Sequence, residues 1–345
     1  MAIVEVTRPV TGGVDTHLDA HVAAAIDPIG GLLGVESFPT TPAGFTELHD
    51  WMIRLGDIER VGVEGTGAYG AGLARFLGGC GLEVIEVDRP NRQARRQAGK
   101  SDPADAVEAA RAVLSGRATG IAKTGDGAVE AMGALLIAKR SGREARISCL
   151  NQLRHLGFCG PDDLREAFRG VPRTALGARA AALRPRVSGD DVAHATKIAM
   201  RTLGRRVLAL DADNDELDAL LAGLVHTTAP DLLGVYGVGV DTAATLLVAA
   251  GDNADRIRSE AAWAHLCGVA PLPASSGKIT RHRLNRGGNR QANHALWRIV
   301  FTRLGSEPRT RDYLERRLAE GLSKREITRI LKRYVAREVY RHLPR

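Results

Sequence analysis

Residues 12–38, GGVDTHLDAHVAAAIDPIGGLLGVESF, decide the fold. The first part, GGVDTHLDAHVAAAIDP, holds two apolar runs with polar interruptions. GGLLGVESF follows after a Gly-Gly turn, so the whole stretch reads as short strands. Pro42 to Leu55 reads as a helix: Pro42 suits a first turn, and Phe45, Leu48, Trp51, Met52 and Leu55 are apolar at helical spacing. RVGVEG (60–65) is a short buried strand ending in Glu64, Ala68 to Leu77 is a helix closed by Gly78-Gly79, and LEVIEV (82–87) is a further strand. The order βββαβαβ predicts an α/β layer with a mixed sheet whose faces are covered by helices.

The grammar then changes. Residues 89–100 hold Arg89, Arg92, Arg95, Arg96 and Lys100 and no acid, and a helix starts near Asp102. From about 128 to 225 the chain is Ala-rich with Leu and Ile at helical spacing, which predicts extended helices of the kind that pack as a coiled coil. Gly157 to Pro161 and Leu183 to Asp191 interrupt them as loops. GVYGVG (234–239) is a glycine-spaced turn between helices. It resembles a helix-hairpin-helix, whose backbone N–H groups hold a phosphate, and reads equally as a plain helical corner. A loop, APLPASSGKITRHRLNRGGNRQ (270–291), leads into a helix over about 289–304, and 308–343 reads as a basic helical pair. The expected division is an α/β domain over 10–125, a helical linker over 126–228 and a helical domain over 229–345.

Composition narrows the class. With 345 residues, 44% hydrophobic and 26% charged, the chain is an ordinary globular protein of two or three domains. No stretch approaches the ~18 apolar residues of a membrane helix, no signal peptide is visible, and Cys80, Cys149, Cys159 and Cys267 form no CxxC pair. The expectation is a cytoplasmic protein without a zinc ribbon or a disulfide framework. The net charge is +8, but residues 278–345 carry 19 basic and 6 acidic side chains, leaving the preceding chain at −5. A basic C-terminal fifth on a mildly acidic body is the footprint of a polyanion binder. Of the 48 basic residues only 7 are Lys, and Arg offers a planar fork suited to phosphate and guanine edges. Aromatics are only 4%, which argues against a base-stacking platform.

Four acids stand where phosphoryl chemistry needs them. Asp15 closes the first strand, Glu64 closes a later central strand, and Asp102 and Asp105 begin a helix on one face. In a ribonuclease H-like fold, carboxylates from strand ends and a following helix converge on two divalent metals, which clamp the attacking and leaving oxygens of a phosphodiester. Each acid has a structural reading as well. Asp19 could serve in place of Asp15, Glu64 could be a solvated strand end, and Asp102 with Asp105 reads as an N-cap and capping box. GTGAYGAG (65–72) lacks the Lys-Ser/Thr of a P-loop and reads as the turn into the next helix. In the loop 270–291, Ser275 and Ser276 precede Gly277 among Lys278, Arg281, Arg283, Arg286 and Arg290. A serine among cations is a candidate phosphoryl-transfer nucleophile, although Ser-Ser-Gly is also a common turn.

The ordered set GVDTHLDAH, GVEGTGAYG, KSDPADA, GVYGVG, GVAPLPASSGK and HRLNRGGNRQAN resembles the DEDD insertion-sequence transposases of the insertion-sequence 110 type, also called bridge-RNA-guided recombinases. The resemblance runs over roughly 10–340. It implies a RuvC-like domain in which Asp15, Glu64, Asp102 and Asp105 hold Mg2+ or Mn2+. It also implies a helical linker that helps assemble subunits, and a C-terminal helical domain whose Ser276, with Ser275 as the adjacent alternative, attacks DNA. The implied partners are donor and target DNA, a structured non-coding guide RNA and further copies of the chain, a dimer assembling to a tetramer. Arg92, Arg95, Arg96, Lys100, Lys278, Arg281, Arg283, Arg286 and Arg290 are the expected nucleic-acid contacts. Two rival readings are a RuvC-like junction nuclease that uses water, and a non-catalytic DNA-binding regulator.

Overall fold

A computed structural model describes residues 8–87, 101–185, 191–253, 256–275 and 282–344. They form two compact units: residues up to Val129 with Ala250–Ser259, and Glu130–Ala249 with Glu260–Pro344.

The first unit is built on six strands, β1 (Pro9–Thr16), β2 (Ala20–Ile26), β3 (Leu32–Pro39), β4 (Asp57–Glu64), β5 (Glu83–Val87) and β6 (Gly120–Ile121). Their order in the sheet is β3-β2-β1-β4-β5-β6. β1 pairs antiparallel with β2 and parallel with β4, β4 is parallel to β5, and β6 is antiparallel to β5. The sheet is therefore mixed, as the alternation of elements predicts, and the arrangement is consistent with a RuvC-like fold. The two-residue β6 is too short to leave a periodicity in the sequence.

Helices cover both faces. α1 (Pro42–Leu55) starts at Pro42 as predicted, and the Thr41 hydroxyl accepts from the Gly44 N–H. α2 spans Ala71–Gly79, not 68–77, because Gly65, at φ +70°, and the turn after it delay the helix. These two helices bury Leu48, Trp51, Met52, Leu73 and Leu77 against Val10, Val14, Val61 and Val63 of the sheet. On the opposite face lies α3 (Asp102–Leu114), packed through Ala109 and Val113 on Ile85 and Val87. The segment 250–259 belongs to this unit because Arg256 donates to the Ile121 and Ala250 carbonyls and pairs with Glu86, while Asn253 donates to the Ala122 carbonyl.

The second unit is helical, with α4 (Ala128–Cys159), α5 (Asp162–Ala167), α6 (Arg173–Ala181), α7 (Asp191–Thr228), α8 (Pro230–Leu233), α9 (Val240–Ala250), α10 (Glu260–Leu266), α11 (Arg290–Ser306), α12 (Pro308–Ala319) and α13 (Lys324–Tyr340). α4 and α7 are the long helices predicted over 128–225, and they run antiparallel in constant register. Lys139 meets Asp218, Arg146 meets Asp211, and Gly157 faces Met200. Cys149, Leu150, Leu153, Met200 and Val207 fill the contact, joined by Leu164, Phe168 and Leu176 from the short helices. A two-stranded ladder, β7 (Leu272–Pro273) with β8 (His282–Arg283), brackets the serine loop. Among the described residues, no helix is long and apolar enough to cross a membrane.

Candidate metal centre and serine loop

Side chains alternate along a strand, so Gly13 and Asp15 share one face of β1 and Gly62 and Glu64 share the same face of β4. That face is the one under α3. A Cβ on Gly13 would lie 2.2 Å from the Ala110 nitrogen and 2.3 Å from the Ala106 oxygen. One on Gly62 would lie 2.7 Å from Val113 and 2.8 Å from the Ala109 oxygen. Two side-chain-free positions on adjacent strands thus seat the helix directly on the sheet. The buried stripe of α3 runs Val113, Ala110, Ala109, Ala106 and Asp105. Its N-terminal end brings carboxylates, in place of methyl groups, to the carboxyl end of the strands.

Three groups meet there. His17 Nε2 lies 3.1 Å from Asp15 Oδ2 and 3.4 Å from Asp102 Oδ1. These ligand atoms all lie within 4.8 Å of one another, close enough to share one cation. Asp15 is buried, and its burial pushes the carboxyl above the usual carboxylate range. His17 opposes that rise, while Asp105 and Asp102 add to it as like charges. Asp105 is buried beside the cluster without joining the three. Glu64 is half-buried and also stands outside it. Parallel pairing of Val14 with Val63 makes Glu64 the neighbour of Asp15 at the next strand end, where the Thr16 hydroxyl donates to the Glu64 carbonyl at 2.8 Å.

Asp102 does not cap α3. The N-cap is Ser101, whose side chain makes no capping bond, and the Asp102 carboxylate is turned to His17 instead. The capping-box alternative for Asp102 and Asp105 is thereby set aside. Asp19 is not part of the cluster either.

His17 is the residue that sequence reasoning missed. The signal was present: positions 15 and 17 are two apart on an extended chain and so point the same way. Behind it, the backbone N–H of His17 reaches His21 Nδ1 at 3.4 Å. His21 is fully buried and stacked on Phe45, and its burial lowers its pKa, so it supports the site as a neutral ring.

Much of the second sequence motif is scaffold. Asn285 donates to the His265 carbonyl and Asn293 to the Cys267 carbonyl, both at 2.8 Å. Lys332 donates to Asn293, and the Asn289 side chain caps α11 by accepting from Gln291 and Ala292. Gly288 is glycine because a Cβ would fall 2.3 Å from the Gly268 nitrogen. These contacts dock the loop onto α10 and hold the β7–β8 ladder. Ser275 lies exposed just past β7, and Arg283, Arg286 and Arg290 are exposed on the returning side. Ser276, Lys278 and Arg281 lie outside the described residues, as do Arg92, Arg95, Arg96 and Lys100.

Comparison with known proteins meets this geometry at both ends. Residues 12–156, which hold all four acids, match a DEDD family profile of the IS110 type described as "Transposase". Residues 230–315, which hold the serine loop, match the "Transposase IS116/IS110/IS902 family". The chain is 35% identical over 127 residues to the "Insertion element IS110 uncharacterized 43.6 kDa protein" of Streptomyces coelicolor, covering 36% of this chain and 31% of that protein. It is 31% identical over 122 residues to the "Insertion element IS900 uncharacterized 42 kDa protein" of Mycobacterium paratuberculosis, covering 34% of this chain and 31% of the relative. These alignments span about a third of the relatives' length. With both profiles matched in order, the chain belongs to the IS110-type DEDD insertion-sequence transposases.

Proposed function

We propose that this chain cuts and rejoins DNA to mobilise an insertion sequence, using a serine nucleophile and a divalent cation held by Asp15, Glu64, Asp102 and Asp105. The observation that carries the reading is the convergence of Asp15, Asp102 and His17 at the carboxyl end of β1, with Asp105 adding its charge from the buried face of α3. The donor set fits Mg2+ or Mn2+. Its carboxylate oxygens are hard, and Asp105 and Asp102 bring like charge to Asp15. Bound there, the cation would supply Lewis-acid stabilisation of charge on the reacting phosphate.

The protein's own groups do the rest. Asp15 and Asp102 orient the cluster, and the His17 ring bridges them. Arg283, Arg286 and Arg290 hold the DNA phosphates beside the loop. The serine Oγ forms a bond to phosphorus as one ester P–O bond of the DNA breaks. The serine proton is given up, and the leaving oxygen takes one to become a strand hydroxyl. Because the phosphoester is kept in the protein–DNA link, the reverse step rejoins strands without ATP. Ser276 is the proposed nucleophile, as the serine that abuts Gly277 in the sequence, and Ser275 is its neighbour. The proposal is completed by recognition of donor and target through a structured guide RNA and by assembly from dimer to tetramer, which the resemblance to the family suggests.

Trapping on denaturing gels with labelled DNA tests it. A covalent adduct is expected with the wild type and with Ser275→Ala, and none with Ser276→Ala. An adduct lost only in Ser275→Ala moves the nucleophile by one residue. DNA cut with no adduct in any protein establishes water as the nucleophile and a resolvase-like reaction in place of recombination.

A further inference from the structure

The chain has three tryptophans, and they are used in two ways. Trp51 and Trp263 are core residues, 9% and 0% exposed, whereas Trp297 on α11 is 41% exposed. Trp297 stacks with both His294 and Phe301, with ring centroids 5.4 Å apart in each pair, an offset arrangement, and interplanar angles of 29° and 26°. Phe301 is itself 65% exposed. The spacing 294, 297, 301 places the rings in one line along the helix. A ladder of rings left open to solvent, in a chain with few aromatics, calls for an occupant.

The ladder forms one wall of a cavity of about 670 Å³ within the helical unit, facing α4 and the first turn of α9. Lys139, Arg140, Arg143 and Arg298 line it, against only Asp241 and Glu144. Lys139, Arg143 and Arg298 converge on Asp241 and Lys139 also pairs with Asp218, so the four cations face three acids, Asp241, Glu144 and Asp218. An apolar protein partner has no use for that surplus. Ring faces flanked by guanidinium groups match a flexible nucleic-acid strand, whose bases stack on aromatic side chains while its phosphates meet the arginines. Low aromatic content argues against a stacking platform spread over a surface, but this one needs only the rings that α11 aligns.

We propose that this cleft binds unpaired nucleotides, with a base stacked on Trp297 or Phe301 and the backbone phosphates on Arg140 and Arg143. The inference rests on the chain handling nucleic acid, and not on its strand chemistry. It is tested with the full chain by fluorescence anisotropy, using labelled oligothymidylate and a labelled duplex in parallel at one salt concentration. Trp297→Ala is expected to weaken oligothymidylate binding about tenfold. Trp297→Phe, which keeps a ring face, is expected to hold it within about threefold. Duplex affinity and the melting temperature should not move, because Trp297 is not a core residue. Unchanged oligothymidylate affinity in Trp297→Ala, with duplex binding intact, overturns the cleft assignment alone. If that variant instead sediments as a smaller species, the rings form a contact between copies of the chain and the proposal is wrong. A wild type that binds neither probe removes the nucleic-acid reading as a whole.

Discussion

Asp15 and Asp241 are both aspartates withdrawn from solvent, and the protein treats them in opposite ways. At Asp241, burial alone would raise the carboxyl, but Lys139, Arg298 and Arg143 outweigh it and hold the group below the usual carboxylate range. At Asp15, burial raises the carboxyl, His17 opposes, and Asp105 and Asp102 push it further up. The first acid has its cations built in and serves as a tie between α4, α9 and α11. The second is surrounded by more acids. Carboxylates gathered in this way repel one another, and a bound divalent ion would relieve that repulsion. Under the proposed function the first acid has a structural role and the second a metal-binding one.

The largest effect expected from this contrast is on activity. Asp15→Asn should lower single-turnover strand cleavage on the order of 10³-fold or more while DNA affinity stays within about twofold. Asp241→Asn should cleave at nearly the wild-type rate per folded molecule. Equal losses in the two variants would erase the distinction.

Helix seating comes next. Gly13→Ala is expected to cost about 3 kcal/mol in denaturant unfolding, since its Cβ meets α3 backbone at 2.2 Å. It should also abolish cleavage by displacing Asp102 and Asp105. Gly12→Ala faces the flexible end of Met52 at 3.0 Å on the opposite side of the sheet and should cost only about 1 kcal/mol.

Asp241→Asn is expected to cost about 2 kcal/mol at neutral pH, because it strips one of the two carboxylates from the buried Lys139. The folded pKa of Asp241 is depressed. Its stabilisation is therefore complete above the ordinary carboxylate value near 3.9 and is lost as pH falls below it. The gap between wild type and variant should close in the same window. A gap that persists well below pH ~3 would assign the cost to packing.

A smaller effect concerns the basic tail. Arg309, Arg311 and Arg325 are exposed on α12 and α13. Replacing each by Gln should flatten the slope of log affinity against log salt by up to about 0.9 for every phosphate that the arginine had neutralised. Deleting the tail is not an equivalent experiment. α13 buries Ile327, Leu331, Val335 and Val339, and its Arg333 pairs with Glu260 of α10.

Local pattern made much of this legible. β1 to β5 and α1 follow from alternation, glycine turns and a proline start, signals contained within a few residues. The two long helices follow from leucine spacing. What stayed hidden was set by contacts distant in sequence. The pairing of Lys139 with Asp241 joins residues 102 positions apart, and nothing near either one announces it. The close approach of α3 to Gly13 and Gly62 likewise needs the sheet order before the glycines acquire a meaning. His17 was within reach, as the second residue on the face of Asp15. The aromatic ladder was masked by composition, because a low average says nothing about where the rings collect.

Thermal melting with and without Mn2+ tests the central claim, that the acids at the end of β1 hold a divalent cation. A ligand that binds only the folded state raises the midpoint by mass action. Wild type and Asp241→Asn are expected to gain several degrees on adding Mn2+. Asp15→Asn, relieved of its crowded charge, is expected to melt above wild type without the ion and to gain nothing from it. An equal Mn2+ response in Asp15→Asn and wild type would contradict the assignment.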